Sequence, residues 1–222
     1  MTLIMVDCPR GLLRLLRQGG FALLLLLPWH TVAAQDNADS PTLLVIGDSI
    51  SAAYGLDLEQ GWVALLERRL AQRAPSWTVV NASISGDTSG GGRQRLPALL
   101  AQHQPDILVI ELGGNDGLRG FPVARLQQNL TAMTEQAQQM GAEELLLAME
   151  IPPNFGRRYT DMFRASFSAV ATETGAVTSP FILEGIATVP GQMQADGIHP
   201  TANAQPRLLS NVWSALEPLV NR

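Results

Sequence analysis

Hydrophobic positions along the chain fall into two rhythms. Four short runs, "TLLVIG" from Thr42, "WTVVNAS" from Trp77, "DILVIEL" from Asp106 and "ELLLAME" from Glu144, group their apolar residues without strict polar alternation. Strands covered on both faces read this way, so parallel strands are predicted. Between these runs the apolar residues recur three and four apart. Trp62, Leu65, Leu66 and Leu70 share one predicted helical face, and Leu126, Leu130, Met133, Ala137 and Met140 share another. Such stripes predict amphipathic helices laid on a core, and no cofactor-binding motif need be invoked for them. "AVTSPFIL" from Ala176 is a candidate fifth strand, and residues 207–220 form a predicted closing helix with Leu209, Val212, Trp213 and Leu216 inward. The alternation predicts an α/β fold, a three-layer α/β/α sandwich on about five parallel strands.

The start of the chain follows neither rhythm. Arg10, Arg14 and Arg17 precede the apolar run "FALLLLLPW", and Ala33 and Ala34 then supply small residues, as in a secretory signal with its cleavage site. The apolar run is far shorter than the roughly 20 residues that span a bilayer, so a cleaved leader over 1–34 is expected rather than a membrane anchor. Residues 35–41 are polar and read as a flexible lead-in, and residues 42–222 read as one domain. No internal repeat or low-complexity tract divides them.

Composition narrows the chemistry. A chain of 222 residues with 46% hydrophobic residues can bury a full core. All fifteen basic residues are arginine, so neither a phosphate-binding nor a Schiff-base lysine is available. The net charge of −5 and the scattered arginines offer no basic face for nucleic acid. The one cysteine, Cys8, would leave with the leader, and the remaining chain would have no disulfide, no thiol nucleophile and no cysteine metal site.

The polar residues gather where such a sheet binds its ligands. Ligands sit beyond the carboxyl ends of the strands in an open parallel sheet. Asp48 and Ser49 follow the first predicted strand, "NASISGDTS" the second and "LGGNDG" the third. Each loop alone reads as ordinary turn chemistry, and their shared edge is what points to a site. A serine hydroxyl acts as a nucleophile only when a base takes its proton. His30 lies in the leader, and His103 in "LLAQHQPD" reads as a solvated residue at a helix end. His199 in "ADGIHP" has Asp196 three residues earlier, where a carboxylate could orient the ring or merely cap a helix. The backbone N–H groups of Ser49 and Gly86 and the side-chain amide of Asn115 are suited to hold a developing oxyanion, although Asn115 could equally serve its turn.

Taken together, "GDSIS", "SGDTS", "GGND" and "DGIHP" resemble, in order, the four signature blocks of the SGNH (GDSL-type) hydrolases. The likeness covers about Thr42 to Leu219. "GDSISAAYGL", "NASISGDTS", "LGGNDGLRG" and "EIPPNFG" are similar to the subgroup of bacterial periplasmic thioesterase, protease and lysophospholipase enzymes and related arylesterases. The resemblance implies Ser49 as nucleophile, His199 as base and Asp196 as its partner, with Ser49 N–H, Gly86 and Asn115 as the oxyanion hole. It also implies a flavodoxin-like sandwich, and Ser49 indeed lacks the second glycine of a G-x-S-x-G elbow. "RRYTDMFRASFSA" and "TSPFILEGIATVPGQ" depart from the subgroup.

The expected activity is hydrolysis of acyl esters, thioesters or lysophospholipids through a serine ester, by an exported monomer without cofactor, metal, nucleic-acid partner or membrane anchor. Leu118, Phe121, Ile151, Phe155 and Tyr159 lie in loops leaving the same edge and are expected to line the acyl pocket. A carbohydrate O-deacetylase would share every catalytic residue. A noncatalytic binder of an anion or flavin would have no use for the pairing of Asp196 with His199.

Overall fold

A computed structural model describes residues 40–222; the expected leader and most of the lead-in lie outside the described residues. The strands are β1 (Thr42–Gly47), β2 (Thr78–Asn81), β3 (Ile107–Glu111), β4 (Glu143–Leu146) and β5 (Val177–Thr178). They pair in the order β2-β1-β3-β4-β5, and every pairing is parallel. Leu43, Leu44, Val45 and Ile46 have no solvent exposure although successive side chains point to opposite faces, so helices cover β1 on both sides.

The helices are α1 (Trp62–Arg73), α2 (Ser89–His103), α3 (Gly114–Leu118), α4 (Val123–Gln139), α5 (Arg157–Thr174) and α6 (Gln205–Val220). α1 packs against α6, while α2, α4 and α5 pack side by side, which gives the two outer layers of an α/β/α sandwich. In α1, Trp62, Val63, Leu66 and Leu70 are the buried residues, and Leu65 is only partly covered. α5 repeats the same logic through Phe163, Ser166, Phe167 and Val170.

Two predicted details change. Met140 does not continue the α4 stripe: it is the C-cap residue, 52% exposed, because the helix ends at Gln139. The fifth strand is two residues long rather than the full "AVTSPFIL" run. Pro180 cannot donate to a ladder, and beyond the strand the chain is tied to its neighbour by Ser179 N–H to Leu146 O, Ala148 N–H to the Ser179 hydroxyl and Ile182 N–H to Ala148 O. Among the described residues no helix is long and apolar enough to cross a membrane.

The strand order fixes the site. From β1 the chain crosses to β2 on one side, and from β3 it continues to β4 on the other. The loops after β1 and β3 therefore diverge and leave a crevice at the carboxyl edge. β1 and β3 lie in register there, with Gly47 opposite Glu111.

Candidate active site

β1 ends on Gly47 for want of space. A Cβ there would lie 2.7 Å from Glu111 Oε2 and 2.8 Å from the Ser51 side chain. The chain then coils tightly, with Ala52 N–H bonded to Asp48 O and Tyr54 N–H to Ser49 O, and this turn lifts Ser49 out of the sheet edge half-buried. Ser51 points the other way and is buried. Its hydroxyl donates to Glu111 Oε2 at 2.6 Å and accepts from Trp62 Nε1 at 3.2 Å.

The other half of the pair arrives 150 residues later. Residues 193 and 200 form an antiparallel bridge, Gln194 N–H donates to His199 O at 2.7 Å, and Gly197 turns the chain with φ +69°. Inside this loop Asp196 Oδ1 accepts from the N–H groups of Ile198 and His199, at 2.9 and 3.1 Å. Asp196 Oδ2 lies 2.7 Å from His199 Nδ1, and His199 Nε2 lies 2.9 Å from Ser49 Oγ. The hydrogen bond from the His199 ring, with those from the two backbone N–H groups, lowers the Asp196 carboxyl to about 2. Asp196 is therefore an acceptor at neutral pH, which puts the Nδ1 proton between them and leaves Nε2 free to take a proton from Ser49.

Gln194 fastens the two loops together. Its Nε2 donates to Tyr54 O at 2.9 Å and to Pro200 O at 3.1 Å. The Tyr54 ring lies against that of His199, with centroids 4.4 Å apart.

Asn115 stands in the first turn of α3, after Gly113, whose φ of +126° suits only glycine. Its Nδ2 donates to Asp48 Oδ2 at 3.0 Å. Gly86 sits on the exposed turn after β2 with φ +79°, and its carbonyl accepts from Arg119. The N–H groups of Ser49 and Gly86 take no partner among the described residues. The Gly86 loop is braced by Arg95, which pairs with Asp87 at 2.8 Å and donates to the Ala82 carbonyl. Asp116, next to Asn115, accepts from the Ser89 hydroxyl at 2.6 Å and from Ser89 N–H at 2.8 Å, tying α3 to the start of α2.

Two buried acids lie behind this arrangement. Burial pushes Asp48 up to about 6 against the hydrogen bonds from Ile50 and Asn115, and it pushes Glu111 well above the carboxylate range with further repulsion from Asp48. One Glu111 oxygen, Oε1, has no hydrogen-bond partner among the described residues. Among the described residues no group of three or more His, Cys, Asp or Glu side chains could hold a metal ion.

A cavity of about 490 Å³ opens beside Ser49 and His199. Its apolar wall includes Leu118, Met149, Ile151, Phe181, Met193 and Ile198. Of the residues expected to line a pocket, Leu118 and Ile151 line this cavity, and Phe121, Phe155 and Tyr159 do not. Tyr159 stands in the first turn of α5 rather than in a loop, and its Oη donates to Phe121 O at 2.7 Å, which ties that helix to the loop after α3, while Phe155 and Tyr159 pack against the core. Phe181 and Met193 come from the chain after β5, whose exit from the same sheet edge was the signal available for them.

Comparison with known proteins places this geometry. The model of the GDSL-like lipase/acylhydrolase family matches residues 45–205. Esterase TesA of Pseudomonas aeruginosa is 58% identical over 189 residues, covering 85% of this chain and 94% of that protein. Thioesterase 1/protease 1/lysophospholipase L1 of Escherichia coli K12 is 43% identical over 201 residues, 90% of this chain and 92% of its own length. Among solved structures, the psychrotrophic esterase EstA from Pseudoalteromonas sp., inhibited by monoethylphosphonate, superposes with a TM-score of 0.78. It is 44% identical, and the match covers 82% of this chain and 99% of that one.

Proposed function

The chain belongs to the GDSL-like lipase/acylhydrolase family, and we propose that it cleaves acyl esters and thioesters through an acyl-enzyme formed on Ser49. Hydrolysis of carboxylic esters and thioesters is its activity, by its likeness to esterase and thioesterase relatives along nearly their whole length. The observation that carries the mechanism is the unbroken chain Ser49 Oγ, His199 and Asp196, linked at 2.9 and 2.7 Å at the mouth of an apolar cavity.

His199 Nε2 takes the hydroxyl proton as Ser49 Oγ attacks the carbonyl carbon. The carbonyl oxygen becomes negative, and Ser49 N–H, Gly86 N–H and Asn115 Nδ2 hold it; one such donor contributes about 3 kcal/mol. The bond to the leaving oxygen or sulfur then breaks as His199 returns the proton to it. Water enters, gives a proton to His199, attacks the acyl carbon and frees Ser49 as the proton passes back to Oγ. Asp196 keeps the ring in the productive tautomer and offsets its charge while it is protonated.

The apolar wall of the cavity favours an acyl chain, including that of a lysophospholipid, over a sugar. The enzyme acts as an exported monomer after removal of residues 1–34, without nucleic acid or membrane anchor.

The test is active-site labelling. A fluorophosphonate, of the same phosphorus chemistry as the inhibitor bound by EstA, should modify Ser49. Labelling should vanish in Ser49→Ala and weaken greatly in His199→Ala. Modification of Ser51, Ser83 or Ser85 instead would refute the assignment.

A further inference from the structure

An asparagine amide serves an oxyanion only with its NH2 end. The two ends are nearly alike in shape, so a neighbour must select between them, and a carbonyl turned inward would repel the developing charge. Asp48 Oδ2 takes one Nδ2 hydrogen at 3.0 Å, which leaves the other hydrogen on the same nitrogen for substrate. An ionised carboxylate only accepts, so the opposite amide orientation finds no bond there.

Asp48 is itself held firmly. Its Oδ1 accepts from Ile50 N–H at 3.1 Å, and its own N–H donates to Glu111 Oε2 at 3.1 Å. The same Glu111 oxygen takes Ser51 N–H and the Ser51 hydroxyl, at 3.3 and 2.6 Å, so it grips the chain on both sides of Ser49. Asp48 is 3% exposed and Glu111 not at all. Two buried acids side by side cost stability that apolar residues of similar volume would not, so a role in the chemistry is the economical account of the pair.

The contacts close a ring. Glu111 ends β3, Asp48 follows the paired strand β1, and Asn115 returns on the chain four residues beyond Glu111. We propose that Asp48 is a positioning residue that fixes the Asn115 amide as a donor, with Glu111 anchoring Asp48 to β3. This rests on the reading of Asn115 as part of the oxyanion hole.

A double-mutant cycle tests it. Wild type, Asp48→Ala, Asn115→Ala and the double variant are compared for kcat and KM on p-nitrophenyl butyrate, with thermal unfolding to establish that each is folded. Asn115→Ala should lower kcat by about 10²–10³-fold. Asp48→Ala should lower kcat by up to about 100-fold with KM nearly unchanged. In the Asn115→Ala background, Asp48→Ala should cost nothing further within about twofold, because nothing is left to orient. Asp48→Asn keeps one acceptor and should fall between wild type and Asp48→Ala; it replaces Asp48→Ala in the cycle if that variant does not fold. Equal losses in both backgrounds would mean that Asp48 serves Ser49 or the fold generally, and would overturn the proposal. So would wild-type kcat in the Asp48 variants beside a crippled Asn115→Ala, which leaves the oxyanion reading intact. An Asn115→Ala enzyme with wild-type kcat would remove the oxyanion reading and this proposal together.

Discussion

Asp48→Asn should make the protein more stable at neutral pH while it slows the reaction. The Asp48 carboxyl rises from 3.8 to about 6 in the folded state, chiefly because it is buried. The folded protein thus holds this proton more tightly than the unfolded chain. The stability so contributed is complete below pH 3.8 and is lost as pH rises through about 6. The span is 6 − 3.8 = 2.2 units, and at about 1.36 kcal/mol per unit the ionised form costs up to about 3 kcal/mol at neutral pH.

Asparagine carries no charge, but it loses one of the two acceptor oxygens, worth about 1 kcal/mol. The net gain near pH 8 is then up to about 2 kcal/mol, or about 4–8 °C in Tm for a domain of this size. Glu111 acts in the same direction, since Asp48 repels its charge and the substitution removes that repulsion. Urea unfolding of both proteins from pH 4 to 9 measures the effect. The variant should equal or trail the wild type near pH 4, draw ahead as pH rises through about 6, and keep a constant lead above that. A constant difference across the whole range would mean that the Asp48 carboxyl titrates as it does in the unfolded chain.

The cavity and the loop clamp give two more expected outcomes. Each acyl methylene buried in the 490 Å³ cavity should gain up to about 0.8 kcal/mol, roughly fourfold in kcat/KM, until the cavity is full. Straight-chain p-nitrophenyl esters should therefore climb from acetyl to a medium chain and then level; a steady fall from acetyl, or a preference for acetylated sugars, would promote the deacetylase instead. Gln194→Ala removes the side-chain bonds to Tyr54 O and Pro200 O, so it should lower kcat about tenfold by loosening His199 against Ser49, with KM little changed. An unaltered kcat would show that the backbone bridge alone sets the base.

The strands and the contact of Asp196 with His199 were legible because each leaves a local mark. A run such as Leu43 to Ile46 has one use in a chain of this composition, and Asp196 stands within the same tight turn as His199. What escaped the sequence depends on distant packing. Glu111 looks like the polar end of an apolar strand, and only the register of β1 on β3 puts its carboxyl under Asp48 and Ser51. Gln194 was equally silent, since its bond to Tyr54 O joins residues 140 apart. Phe121, Phe155 and Tyr159 stand outside the cavity lining for a related reason. Leaving the sheet edge fixes a segment's neighbourhood but not which way its rings turn, and Tyr159, in the first turn of α5, spends its hydroxyl on Phe121 O.

The division of labour between segments explains how one site can combine rigid chemistry with an adjustable pocket. The groups proposed to react and to donate stand after β1, β2 and β3 and in the bridged turn around His199, and Glu111, Asp116, Arg95 and Gln194 tie these pieces to one another. The ties through Glu111 and Asp116 are buried acids, and such groups hold geometry tightly but tolerate little change. Much of the cavity wall instead comes from the chain after β4 and β5, including Ile151, Phe181 and Met193. β5 contributes only two paired residues, and the segment beyond it joins the turn around His199 through the bridge between Met193 and Pro200 and the hydrogen bonds of Gln192 and Gln194. Substitutions at Ile151 or Phe181 should reshape the cavity without moving the Ser49–His199 contact, whereas changes to the buried acids should strike the turn that carries Ser49 first. Substrate range should thus follow the departures seen in "TSPFILEGIATVPGQ", and the rate of the chemical step should follow the ring through Glu111, Asp48 and Asn115.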